Sequence, residues 1–263
     1  MRPTTDLSPL ATKIILSFLS RSGIRPRRLY LPALRQIIYD PVDITSAFSD
    51  IFIKEIYRPV GPLPAGCKIV DIGAHTGMFA IYALLRLPAS QIRCFEPNPH
   101  SFRYLTANVA AARNPQGAQI AIYELAVAKE AGPIQLFIPR DGSTSVATTT
   151  VVGMHRAEDV IEVRSRAITL AEAVGERCDF LKIDAEGVEY DLLMDEMVRP
   201  LRIGEIAVEV HKFGKRWNDF LRLIDTLTAR KYRVFDFRGE LLTSDAIRTF
   251  CQLEDQAMVL HFA

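Results

Sequence analysis

Short apolar runs and stretches of helical period alternate along residues 68–262. The runs at 68–72 (KIVDI), 91–96 (QIRCFE), 119–127, 180–184 (FLKID), 205–210 (EIAVEV), 233–237 and 258–262 read as strands. Between them, 78–87, 101–112, 169–174, 188–197 and 219–230 read as helices. Two further strands are predicted at 132–138 and 160–167, flanking a Ser/Thr-rich loop over 139–159 that reads as a substrate lid. Strand–helix alternation of this kind predicts an α/β domain: a Rossmann-like, doubly wound, mainly parallel sheet with helices on both faces. Residues 1–60 read as a mostly helical N-terminal extension, and the Pro/Gly stretch 61–66 (GPLPAG) separates it from the main domain, 61–263. Within the extension, Leu10, Ile14, Ile15, Phe18 and Leu19 recur at helical spacing. That stripe is expected to pack on the main domain, and it leaves a homodimer open.

Composition narrows the function. The chain has 263 residues, with 32 Lys and Arg against 31 Asp and Glu, a formal charge of +1. This balance excludes a nucleic-acid binder that works by bulk charge. The segment 10–19 is too short to span a bilayer, Lys13 interrupts it, and no small-residue cleavage site follows. The four cysteines, Cys67, Cys94, Cys178 and Cys251, form no CxxC pair. A reducing, cytoplasmic setting without a transmembrane segment is therefore expected.

The chemistry concentrates where strands end. In VDIGAHTGMFA (70–80) a strand closes on Asp71, Gly73 and Gly77 punctuate a loop, and a helix begins. Gly73 suits the positive φ of a tight strand-to-helix turn and lets a ligand approach the backbone. Ligands of open α/β sheets bind at this edge. The spacing D-x-G-x-H-x-G puts His75 where a dinucleotide fingerprint needs its middle glycine, which counts against an NAD-linked oxidoreductase. His75 is expected to line the site through its backbone. Glu96, in CFEPNP (94–99), stands at the next strand tip, 25 residues after Asp71, where a carboxylate can accept both hydroxyls of a ribose. Asp71, Gly73, His75, Gly77, Glu96, Asn98 and Asp184 are the candidate cofactor-binding residues.

The order of DIFIKEIYRP (50–59), VDIGAHTGMFA, FEPNP, ITLAEAV (168–174) and FLKIDAEGVEYDLL (180–193) resembles the FkbM-type S-adenosylmethionine-dependent methyltransferases over about residues 50–262. Ala171 departs from the acid that the family commonly carries there. The resemblance implies a class I methyltransferase fold, S-adenosylmethionine as cofactor, and methyl transfer to a hydroxyl of a sugar, glycan or polyketide-like acceptor. The competing readings are the NAD-linked oxidoreductase and a cofactor-binding module without catalysis.

For such a transfer the candidate catalytic residues are His211, Asp184 and Lys182. Lys182 and Asp184 lie on one side of their strand, as do Glu209 and His211 on the next. A neutral His211 would take the acceptor's proton. Glu186 and Glu189 read as helix caps, and Tyr57 and Phe52 as closing over the cofactor or as core. A divalent metal on Asp184, Glu209 and His211 is the alternative, ranked below the metal-free mechanism.

Overall fold

The computed structural model describes residues 18–19, 21–22, 27–31, 34–40, 44–139, 160–194, 201–211, 216–250 and 257–263. The N-terminal region contains β1 (Arg28–Leu31) and β2 (Gln36–Tyr39), paired as an antiparallel hairpin. Helix α1 (Ile44–Phe48) then runs into a π-helical turn over Ser49–Ile53. Residues 28–31 and 36–39 are thus strands where helix was expected. Pro26, Pro32 and Pro41 break any helical register here. Leu31, Leu34, Ile38, Ile44 and Phe48 share one core with Met78 and Ile81, so this region is built onto the main domain. Phe18 and Leu19 are helical, with Phe18 exposed. The rest of the stripe, the loop at 140–159 and Cys251 lie outside the described residues.

The remaining elements follow in the order β3 (Cys67–Ile72), α2 (Met78–Arg86), β4 (Ala89–Phe95), α3 (Pro99–Ala111), β5 (Gln119–Tyr123), β6 (Ala126–Ala128), β7 (Gly132–Pro139) and β8 (Val160–Thr169). Then come α4 (Leu170–Val174), β9 (Arg177–Ile183), α5 (Glu189–Met194), β10 (Arg202–Val210), α6 (Trp217–Ala229), β11 (Val234–Asp236), α7 (Ser244–Phe250) and β12 (Met258–Phe262). The central sheet has the order β5-β4-β3-β9-β10-β12-β11. Only β12 runs against its neighbours. This is the doubly wound Rossmann-like sheet that the alternation predicts. The chain moves outward from β3 to β5 and then returns to the other side at β9, so the switch point lies between β3 and β9.

Two elements of the main domain differ from the sequence reading. The strand expected at 119–127 divides: 119–123 closes the edge of the main sheet, while 126–128 joins a separate sheet of order β6-β8-β7. Helix α7 has no counterpart in the sequence reading, because it is short and carries few apolar positions to set a period. The caps follow their sequence signals. Asn98 accepts from the His100 amide with Pro99 at the first helical position, and Thr169 with Glu172 forms a capping box on α4.

Strand alternation sorts the sheet's two faces. Val70, Ile72, Leu181, Ile183, Val208 and Val210 point into one core. Ile69, Phe180 and Ala207 point into the other, beneath α2, α3 and Tyr57. Asp71 therefore lies on the second face, and register aligns it with Lys182 and then Ala207 across three strands. The next row on that face is Gly73 and Asp184, just past their strand tips, and Glu209, near the end of β10. Among the described residues, no helix is long and apolar enough to cross a membrane.

Candidate functional site

A cavity of about 380 Å³ opens at the switch point. One end is walled by Gly73, His75, Phe95, Glu96, Leu125 and Val127, the other by Tyr57, Lys182, Asp184, Glu186 and Glu209. Asp40, Ser46 and Asp50 from the N-terminal region also line it.

Glu96 is almost fully buried. Its Oε2 accepts from the His75 amide at 2.8 Å and its Oε1 from the Asn98 amide at 2.9 Å. The carboxylate thus ties the first strand-to-helix loop to the second, and each oxygen keeps a lone pair for a ligand. Burial pushes its pKa up, opposed by His75 and the two amides. His75 reaches the cavity in a left-handed backbone conformation, φ 51°.

Gly73 has φ +74°, and a Cβ there would sit 1.8 Å from the Asp184 carbonyl oxygen. The glycine is thus required by the close approach of two strand-tip loops as well as by its turn. Three other expected cofactor contacts lie outside the cavity wall. Gly77, φ +88°, admits the side chain of Leu105 and serves the packing of α2 on α3. Asn98 is fully buried as a helix cap. Asp71 is fully buried beneath the cavity, 3.3 Å from Lys182 Nζ. That contact pairs the charges but lacks hydrogen-bond geometry, so both Asp71 oxygens stay without a hydrogen-bond partner among the described residues.

Lys182, expected among the catalytic residues, is a buried clamp. Its ammonium donates to the carbonyls of Gly73 at 2.7 Å and Ile72 at 3.4 Å, and lies 3.6 Å from Asp184. Burial alone would lower its pKa, but Asp71 and Asp184 outweigh burial and raise it, so it stays charged. Tyr57 reaches in from the N-terminal region. Its hydroxyl donates to Glu209 Oε2 at 2.6 Å and lies 3.4 Å from Asp184 Oδ2. Burial and the Asp184 carboxylate push Glu209 up to about 7.

His211 does not fit a neutral base. Its Nε2 lies 3.5 Å from Glu186, 3.9 Å from Asp184 and 3.9 Å from Glu209. Its Nδ1 lies 3.2 Å from Glu189, which also accepts from the His211 amide at 2.7 Å. Burial would lower the imidazole's pKa, but these carboxylates, Glu189 first, raise it to about 10. This shift favours the protonated ring, and both ring nitrogens already face carboxylates. Strand spacing places His211 correctly, but it does not reveal that four acids converge on it. Glu189 does hold the N-terminal side of α5 through the Gly187 amide at 2.7 Å, as a cap would. Glu186 instead lines the cavity, with burial pushing it up to about 8. Asp184, Glu186 and His211 offer one ligand-type atom each within 4.8 Å of one another.

Sequence reasoning missed the Tyr57–Glu209 contact, which joins residues 152 apart in the chain. The only sequence signal was the position of Tyr57 inside the block 50–59.

Comparison with known proteins gives these features a family. The Methyltransferase FkbM domain model matches residues 71–234. The 31-O-demethyl-FK506 methyltransferase FkbM of Streptomyces tacrolimicus is 28% identical over 195 residues, covering 62% of this chain and 73% of that protein. Methyltransferase 1 of Beauveria bassiana (strain ARSEF 2860) is 28% identical over 170 residues, covering 58% of this chain and 67% of that protein. Among solved structures, Aeropyrum pernix fibrillarin with natively bound S-adenosyl-L-methionine aligns with a TM-score of 0.41 at 13% identity, covering 78% of this chain and 69% of that one. More than half of the chain falls within the matched domain, and the chain belongs to the FkbM methyltransferase family.

Proposed function

We propose that the protein transfers a methyl group from S-adenosylmethionine to a hydroxyl of a sugar, glycan or polyketide-like acceptor. The observation that carries this reading is one continuous cavity with two chemically different ends. At the first, the buried Glu96 carboxylate stands beside an apolar slot of Phe95, Leu125 and Val127, which suits a ribose and its base. At the second, the Asp184 carboxylate provides negative charge for a sulfonium. When bound, S-adenosylmethionine supplies a methyl group on positively charged sulfur. Glu96 would hold the ribose hydroxyls, and the Gly73–His75 loop would follow the backbone of the ligand. Asp184, kept in place by Lys182 and Tyr57, would face the cofactor's cationic end. Much of the rate would come from alignment of acceptor oxygen, methyl and sulfur along the cavity. The likeness to the FkbM enzyme of Streptomyces tacrolimicus supports an oxygen acceptor.

Calorimetric titration with S-adenosylhomocysteine and with NAD tests the cofactor, and labelled S-adenosylmethionine offered with a panel of hydroxylated acceptors tests the reaction. Binding of S-adenosylhomocysteine and labelled product are expected. Binding of NAD alone would overturn the cofactor assignment, and tight cofactor binding without any labelled product would favour a module that has lost catalysis.

A further inference from the structure

His211 is not among the residues that line the cavity, and both of its ring nitrogens face carboxylates, so an O-methyl transfer lacks an assigned acceptor for the hydroxyl proton. We propose that Glu209 takes that proton, and that Tyr57 positions it. This inference rests on the methyl-transfer reading above. Glu209 lines the acidic end of the cavity, in the strand-tip row that also holds Gly73 and Asp184. Its shortest contact is with a neutral phenol, at 2.6 Å on Oε2. Its Oε1 has no hydrogen-bond partner among the described residues, the nearest His211 nitrogen being 3.9 Å away. Asp184 is less suited, because the Lys182 ammonium lies 3.6 Å from it and holds it as an ion pair. Glu186 lies closer to the His211 ring, at 3.5 Å.

Tyr57 is held to its task from both sides. His261, fully buried, donates from Nε2 to the carbonyl of Ile56 at 2.9 Å, and Glu205 accepts from the Val60 amide at 2.8 Å. Tyr57 packs edge-on against Phe79, with centroids 5.8 Å apart. Burial and the Asp184 and Glu209 carboxylates push the phenol's pKa well up, so its proton stays on oxygen and points at Glu209. In the transfer, the acceptor's O–H proton passes to Glu209 Oε1 while the acceptor oxygen forms its bond to the methyl carbon. The carbon–sulfur bond breaks and its electron pair returns to sulfur. Glu209 ends neutral and sulfur loses its positive charge, so atoms and charge balance.

The test uses the full chain as wild type, Glu209→Gln, Glu209→Asp and Tyr57→Phe. Initial rates with labelled methyl donor and the hydroxylated panel are taken across pH, beside calorimetry with S-adenosylhomocysteine and thermal melting. Glu209→Gln is expected to lower kcat roughly 10²–10⁴-fold, with cofactor affinity within about 3-fold of wild type, as a base acts on rate rather than on binding. Tyr57→Phe is expected to lower kcat about 10-fold through lost positioning. Glu209 faces Tyr57, Lys182, Asp184, Glu186 and His211. Of these, wild-type kcat should follow Glu209 itself, rising with pH through the neutral range, and Glu209→Gln should lose that limb. Glu209→Asp keeps the carboxylate farther back, so it should retain the limb at reduced kcat. It serves as the reporter if the glutamine variant fails to melt cooperatively. Unchanged kcat in a folded Glu209 variant, or a limb that survives Glu209→Gln, would overturn the assignment. A wild type that binds no S-adenosylhomocysteine, or methylates no acceptor, would overturn the underlying reading instead.

Discussion

Replacing Glu96 by glutamine isolates the charge at the centre of the cofactor end. The substitution keeps size and shape but turns one oxygen into an NH2 donor. In the native site each oxygen accepts one backbone amide, from His75 at 2.8 Å and from Asn98 at 2.9 Å. Whichever way the amide side chain turns, one of those buried N–H groups faces a donor. Leaving a buried donor unsatisfied costs about 1–3 kcal/mol, which sets the expected loss of fold stability. A ribose hydroxyl that donates to the carboxylate makes a charge-assisted bond of about 1.5–3 kcal/mol. Loss of one such bond raises the Kd about 10- to 150-fold. Calorimetry should compare S-adenosylhomocysteine with an analogue lacking the 2′- and 3′-hydroxyls, on wild type and on Glu96→Gln, with melting curves to separate folding from binding. The analogue should bind both proteins alike, because it has no hydroxyl for residue 96 to hold. Equal loss for the two ligands would mean that Glu96 only braces the loops, and unchanged affinity for S-adenosylhomocysteine would remove it from the site altogether.

Three other perturbations probe the scaffold. Asn108→Ala should cost about 3 kcal/mol at roughly 1 kcal/mol per bond, since the buried amide joins the N–H and carbonyl of Tyr39 and the carbonyl of Thr76. Chemical unfolding and limited proteolysis of residues 28–40 would show it, and wild-type stability would refute the brace. Gly73→Ala should cost about 3 kcal/mol or more, combining positive-φ strain with the clash against the Asp184 carbonyl; a folded, wild-type-like variant in urea titration would contradict it. The His211 imidazole should remain protonated at pH 8 by NMR. Its folded pKa of about 10 exceeds the ordinary 6.5, so its stabilising contribution is full below 6.5 and is lost as pH rises through about 10. Titration near 6.5 would restore it as a candidate base.

Period and punctuation carried much of this protein in one dimension. Alternating runs announced the parallel sheet, because buried strands and amphipathic helices leave local signatures. Glycine at 73 and the acid at 96 were legible because a tight turn and a strand tip are local demands. Residues 28–31 and 36–39 read as part of a mostly helical extension, although Pro26, Pro32 and Pro41 interrupt any helix there. The division of 119–127 between two sheets depends on which neighbour each half pairs with, and that is a non-local choice. The surroundings of the candidate site residues likewise follow only from assembly. Asp71, Asn98 and Gly77 sit in motifs that face ligands elsewhere on the strand tips, but here depth turns them inward as charge partner, cap and packing surface. His211 has its spacing from the strand, whereas its charge comes from acids on β9, β10 and α5 that converge only when the sheet closes. A proton's position depends on the sum of fields through space, and sequence distance carries no measure of that sum.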